Sequence, residues 1–168
     1  MDVLDQVHTL TFDAFGTILD LGGSHAPRLD EFLKSRGSSM TTDELWARWR
    51  YRQRIEQYQD NQFYTGHYGY LDSSRRALLY TLRFSRLPFD EADILRIMAG
   101  WQELKPFPDA VPGLERLRSK FKLVVLSNGE REFLAHLVKR VHGAPPMAGW
   151  PAAAEALRTP RSPRSSRD

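Results

Sequence analysis

The stretch Thr9-Leu10-Thr11-Phe12-Asp13-Ala14-Phe15-Gly16-Thr17-Ile18-Leu19-Asp20 constrains this chain more than any other. Val7, Leu10 and Phe12 are β-compatible and apolar, so the run reads as a short buried strand. It stops abruptly at a carboxylate, a glycine turn and a threonine hydroxyl. Residues just past the carboxyl end of a parallel strand face the crevice in which open α/β sheets bind ligands. Asp13 is therefore expected in a site, with Gly16 allowing a sharp turn and Thr17 supplying a donor. An Asp at a strand end can equally cap a loop, so the assignment needs a second signal.

That signal is Phe121-Lys122-Leu123-Val124-Val125-Leu126, a continuous apolar run suited to a parallel strand covered on both faces. It ends in Ser127-Asn128-Gly129, after which Glu130–Arg140 resumes a helical pattern through Phe133, Leu134 and Leu137. Strand, short polar turn and helix N-terminus form an anion site by geometry alone. The two runs, Val7–Asp13 and Phe121–Leu126, are predicted to lie side by side in parallel.

Between them the pattern is helical. Leu21–His25 reads as a glycine-rich loop and Ala26–Gly37 as a short helix around Leu29, Phe32 and Leu33. Thr41 and Glu44 form a capping-box signature for a helix with Leu45, Trp49, Arg52, Gln53 and Glu56 along one face. Gly66–Gly69 interrupts; Asp72 or Ser73 then starts a helix through Leu78, Leu79 and Leu82. A third segment starts at Asp90 and carries Ile94, Leu95 and Met98, with Trp101 beyond Gly100. Pro106 and Pro108 mark the return, followed by a helix over Asp109–Lys120. The division that results is a core of 1–19 plus 104–140, a helical cap over 20–103, and a tail from 141.

Half of the ten prolines lie after position 140, among Ala, Ser and Arg in no periodic order, so 141–168 is predicted to be disordered. The chain has no cysteine, which excludes disulfides, thiolate catalysis and cysteine-based zinc sites. A net charge of +3, without an aromatic-interleaved basic patch, argues against nucleic-acid binding. No apolar run approaches membrane-spanning length and no signal pattern opens the sequence, so a cytoplasmic protein is expected.

Phe12-Asp13-Ala14-Phe15-Gly16-Thr17 and Leu126-Ser127-Asn128-Gly129, separated by a helical insertion, resemble the motifs of the haloacid dehalogenase superfamily. Within it the sequence is most similar to the type II 2-haloacid dehalogenases, over roughly residues 7 to 140. The resemblance implies a Rossmann-like parallel sheet with an inserted helical cap. It also implies hydrolysis of a small 2-halocarboxylate without a cofactor or metal, and it leaves a homodimer open. Asp13 would be the nucleophile that displaces halide to give an aspartyl ester. Thr17, Ser127 and Asn128 would order the site or hold the substrate carboxylate, and Phe15 would contact substrate.

Phosphatases of the superfamily usually carry a second Asp where this chain has Phe15. A phenyl ring transfers no proton, and halide departure needs none. The resemblance further implies an arginine on the cap that meets the halide. Tyr51-Arg52-Gln53-Arg54 matches that segment best and assigns Arg52, with Arg50 after Trp49 as the rival. The family's third motif, with its lysine, and its fourth are not read in this sequence. Lys139 precedes any third strand and is given no role, so the expected product is a truncated one. A Mg²⁺-dependent phosphatase and an inactive fragment are the alternatives to the dehalogenase.

Overall fold

The computed structural model describes residues 6–62 and 69–141. The predicted tail therefore lies outside the described residues, save Val141, as does most of the expected Gly66–Gly69 break. Strand β1 (Thr9–Phe12) leads through a tight turn to β2 (Leu19–Asp20). Four helices follow: α1 (Leu21–Ser35), α2 (Thr42–Gln62), α3 (Tyr70–Phe84) and α4 (Glu91–Ala99), the last continued by a 3₁₀ turn over Gly100–Glu103. Then come β3 (Lys105–Pro106), α5 (Ala110–Arg118), β4 (Lys122–Val125) and α6 (Arg131–Val141).

β1 and β4 pair in parallel, Thr9 opposite Lys122 and Phe12 opposite Val125. β2 and β3 pair antiparallel, Leu19 opposite Pro106 and Asp20 opposite Lys105. This short clasp ties the outgoing and returning ends of the helical insertion together. Phe107 N–H adds a bond to the Ile18 carbonyl at 2.9 Å, and Lys105 N–H one to Ser24 Oγ at 2.9 Å. The architecture is α/β, a short parallel sheet carrying an inserted helical cap.

The caps explain where the helices begin. Thr41 and Glu44 make the reciprocal pair expected of a capping box: Glu44 N–H donates to Thr41 Oγ1 at 3.2 Å, and Thr41 N–H to Glu44 Oε2 at 2.9 Å. Asp90 and Asp93 form a second box at the start of α4. Asp93 is almost fully buried yet accepts from Arg36, just past the end of α1, and from Arg96. Burial alone would raise its carboxyl; the hydrogen bonds from Asp90 N–H, Arg96 and Arg36 outweigh it and hold it below the usual range.

One expectation fails at the start of α1. Leu21–His25 is helix, not loop, because Asp20 caps it by accepting from Gly23 N–H at 2.9 Å. Gly22 lies under Trp46, where a Cβ would approach the indole Nε1 to 3.1 Å. The glycines there serve close packing within the first turn. The β4 strand also differs from its reading: its residues are only half covered or exposed, and Leu126 just beyond it is exposed.

Candidate active site

Asp13 is the first residue past β1, where Leu126 N–H makes the last bond of the pair, to the Phe12 carbonyl at 2.8 Å. The chain then turns back on itself. Ile18 and Leu19 N–H both reach the Ala14 carbonyl, at 3.1 and 2.9 Å, and Gly16 takes a positive φ of 88°. That turn returns Thr17, whose Oγ1 donates to Asp13 Oδ2 at 3.2 Å. Both residues are exposed.

Ser127 and Asn128 follow β4 at the same end of the sheet, since the parallel register sets Phe12 beside Val125. Ser127 Oγ accepts from Gly129 N–H at 3.3 Å, and Asn128 is exposed. Gly129 has a packing reason: a Cβ there would come within 2.7 Å of Phe15 Cε2.

Phe15 is buried, with its ring stacked on Tyr70 at 4.4 Å and on Phe133 at 5.6 Å between centroids. It also meets Trp101 edge-on at 6.4 Å. One ring thus joins the sheet side, through Phe133 of α6, to the cap, through Tyr70 and Trp101. The stack is continuous with a cage of His25, Trp46, Trp49 and Trp101 inside the insertion.

The two candidate arginines part company. Positions two apart on an α-helix lie about 200° apart around its axis, so Arg50 and Arg52 cannot share a direction. Arg52 binds Glu56 Oε1 through Nε and Nη2, at 2.8 and 2.5 Å, and its guanidinium lies 4.0 Å from the Tyr80 ring. That places it in an outer groove with Arg76, Arg83 and Phe84. Arg50 turns to the other flank, over Trp46 at 5.6 Å and Trp101 at 6.0 Å, and donates to Tyr70 Oη at 3.1 Å and to Gln53 Oε1. Arg50 therefore joins the cluster that contains Phe15, and Arg52 makes no described contact with it.

Tyr70 links this cluster to Asp13. Burial pushes its hydroxyl above the usual tyrosine range; the Arg50 charge opposes that and the Asp13 charge adds to it. Carboxylate and guanidinium charges thus act in opposite senses on the same phenol. His25 is fully buried, donates through Nδ1–H to the Leu21 carbonyl (2.9 Å), and stacks on Trp46. Burial lowers its pKa to about 4, against a smaller opposing effect of that hydrogen bond, with the Arg50 and Arg28 charges adding to the fall. His25, Tyr70 and Trp101 carry no local motif; they meet only through long-range packing. Among the described residues no group of three or more His, Asp and Glu side chains is placed to hold a metal ion, and no helix is long and apolar enough to cross a membrane.

A sheet-end Asp–Thr pair, a polar turn after the neighbouring strand and an inserted helical cap place the chain in the Rossmann-like class of folds. The family model for haloacid dehalogenase-like hydrolases matches residues 7–155. The chain belongs to that family. It is 30% identical over 138 residues to the (S)-2-haloacid dehalogenase 4A of Burkholderia cepacia, covering 82% of this chain and 57% of that enzyme. Among solved structures, a dehalogenase aligns with a TM-score of 0.70 at 29% identity, over 80% of this chain and 57% of the other. The L-2-haloacid dehalogenase of Xanthobacter autotrophicus aligns at 0.68 and 26% identity, over 81% and 52%. The chain thus spans little more than half the length of these relatives.

Proposed function

We propose that the chain carries the nucleophile and halide-binding half of a 2-haloacid dehalogenase active site, acting on a small 2-halocarboxylate. An Asp13 carboxylate oxygen attacks the halogen-bearing carbon; a C–O bond forms as the C–halogen bond breaks, and halide leaves with the bonding pair. Water then adds at the Asp13 carboxyl carbon, the acyl C–O bond breaks, and the 2-hydroxy acid departs while Asp13 is restored. Thr17 holds the carboxylate through its hydroxyl. Ser127 and Asn128 serve the substrate carboxylate at the same sheet end, and Phe15 walls the site.

The reading rests on one observation above all: the position two residues after Asp13 is a buried phenyl ring, packed against the rings of Tyr70 and Phe133. A leaving alcohol needs a proton from there, whereas a halide does not. For the arginine that meets the halide, the contacts of Arg50 with the Phe15–Tyr70–Trp101 cluster favour it over Arg52. Residues 20–103 act in this reading as the cap over a core of 1–19 and 104–140.

Halide release from a 2-haloacid without added Mg²⁺ tests this. A single turnover in ¹⁸O-labelled water should label the product only sparsely, because its new oxygen comes from Asp13. Asp13→Asn should reduce release to background. Arg50→Ala should slow it by about a hundredfold to a thousandfold, the scale of removing one transition-state charge partner, and Arg52→Ala should change it little. Mg²⁺-dependent release of phosphate from a phosphate ester, lost in Asp13→Asn, would replace this reading with the phosphatase.

A further inference from the structure

Four arginines of the helical insertion, Arg28, Arg36, Arg52 and Arg96, each pair with a carboxylate. Among the described residues Arg50 pairs with none. Its partners are neutral: Nη1 donates to Gln53 Oε1 and, at 3.1 Å, to Tyr70 Oη. The rings of Trp46 and Trp101 flank the guanidinium at 5.6 and 6.0 Å. A terminal guanidinium nitrogen carries two N–H groups, so these two acceptors use Nη1 completely. Gln53 and Tyr70 are themselves joined, because the Gln53 amide hydrogen-bonds to the Tyr70 oxygen. The three side chains close a ring.

Both acceptors are held from outside that ring. Gln53 is fully buried on α2, one turn from Arg50. Tyr70 opens α3 and is buried, its ring stacked on Phe15 at 4.4 Å and edge-on to Trp101 at 5.2 Å. Neither carries charge: an amide does not titrate, and burial keeps the phenol protonated. A carboxylate in either place would hold the guanidinium but cancel much of its charge, as Glu56 does for Arg52. Two neutral acceptors fix a direction and leave the charge in force.

We infer that Gln53 and Tyr70 are positioning residues, which hold Arg50 beside Phe15 with its charge uncancelled and its Nε and Nη2 donors left for the departing halide. The inference rests on the proposed dehalogenase reading and adds two residues to it.

Tyr70→Phe removes only the oxygen and keeps the ring on Phe15. It should lower kcat for halide release about tenfold, the scale of one hydrogen bond to a charged group, with KM little changed, since the charge develops in the transition state. Thermal unfolding checks the fold. Unchanged kcat would overturn the inference. In an Arg50→Ala background the same substitution should cost nothing further, because the oxygen acts through Arg50; an undiminished tenfold loss there would also overturn it. Gln53→Glu keeps an acceptor but brings a carboxylate, and should lower kcat more than Gln53→Met does. The reverse order would exclude the need for neutral partners.

Positioning is also readable without turnover. Nitrogen NMR separates the two Nη atoms of a guanidinium whose rotation about Nε–Cζ is held, and merges them when it is free. Arg50, identified by the loss of its signals in Arg50→Lys, should show separate signals in the full chain and a merged one in the Gln53→Met, Tyr70→Phe double variant. Merged signals in the unmutated chain would overturn the inference and leave the dehalogenase reading in place. Separate signals in a chain that releases no halide would sink that reading, and with it the role assigned to the ring.

Discussion

Inside the helical insertion Leu29, Leu45, Trp49, Ala77, Leu78, Leu82, Ile94 and Trp101 retain no exposed surface, whereas no residue of β1 or β4 is fully buried. The insertion is a finished core: four helices close on an aromatic centre, with Arg36–Asp93 and Arg28–Glu103 bridging α1 to α4 and the turn beyond it. The strand pair has less. His8 and Phe12 carbonyls accept from β4, so the backbone groups of Thr9 and Thr11 face the other way. Among the described residues no strand meets that edge. A parallel sheet is stable when covered on both faces and flanked, and these two strands meet the condition on one side. The proposed chemistry thus stands on the less supported of the two regions.

Truncations in each region sharpen that contrast. Trp101→Ala should cost about 3–5 kcal/mol in denaturant unfolding, the range for emptying a large buried aromatic site; a loss below that of Leu123→Ala would reverse the ranking of the two regions.

Acid provides the next test. His25 has a folded pKa of about 4 against an ordinary 6.5. The unfolded chain therefore takes up a proton first as pH falls. Stability is complete above 6.5 and declines on the way down to about 4, by about 3 kcal/mol in all. Asp93, held below its ordinary 3.8, adds its loss only at lower pH. His25→Phe should flatten the unfolding free energy between those limits; an unchanged slope there would mean the cage does not exclude the imidazolium. Leu123→Ala in β4 should cost only about 1 kcal/mol, because its side chain is half exposed already.

The sequence disclosed what local rules govern. Thr41 and Glu44 announce their box, and the two strand ends announce a shared face because each apolar run stops in polar turn residues. It did not disclose α1's true start, since Leu21-Gly22-Gly23 reads as a loop until Trp46 is seen to need the space. Nor did it separate Arg50 from Arg52 by motif matching. Helical spacing does not do so either, since it sets Arg52 on the face of Leu45, Trp49 and Glu56, and the contacts of Arg50 with Tyr70 and Trp101 come from other parts of the chain. His25, Tyr70 and Trp101 were silent for a different reason: their meaning comes from neighbours tens of positions away, which no periodicity records.

The clasp between β2 and β3 bears on the order in which the chain can fold. Pairing Thr9 with Lys122 closes a loop of more than a hundred residues. Once Leu19 is fastened to Pro106, the same pairing closes only the two short arms outside the clasp, fewer than thirty residues together. The shorter circuit lowers the entropy of closure by about 1 kcal/mol. Helices whose contacts are mostly local form early, so a folded insertion acts as a splint that delivers the two strands to each other.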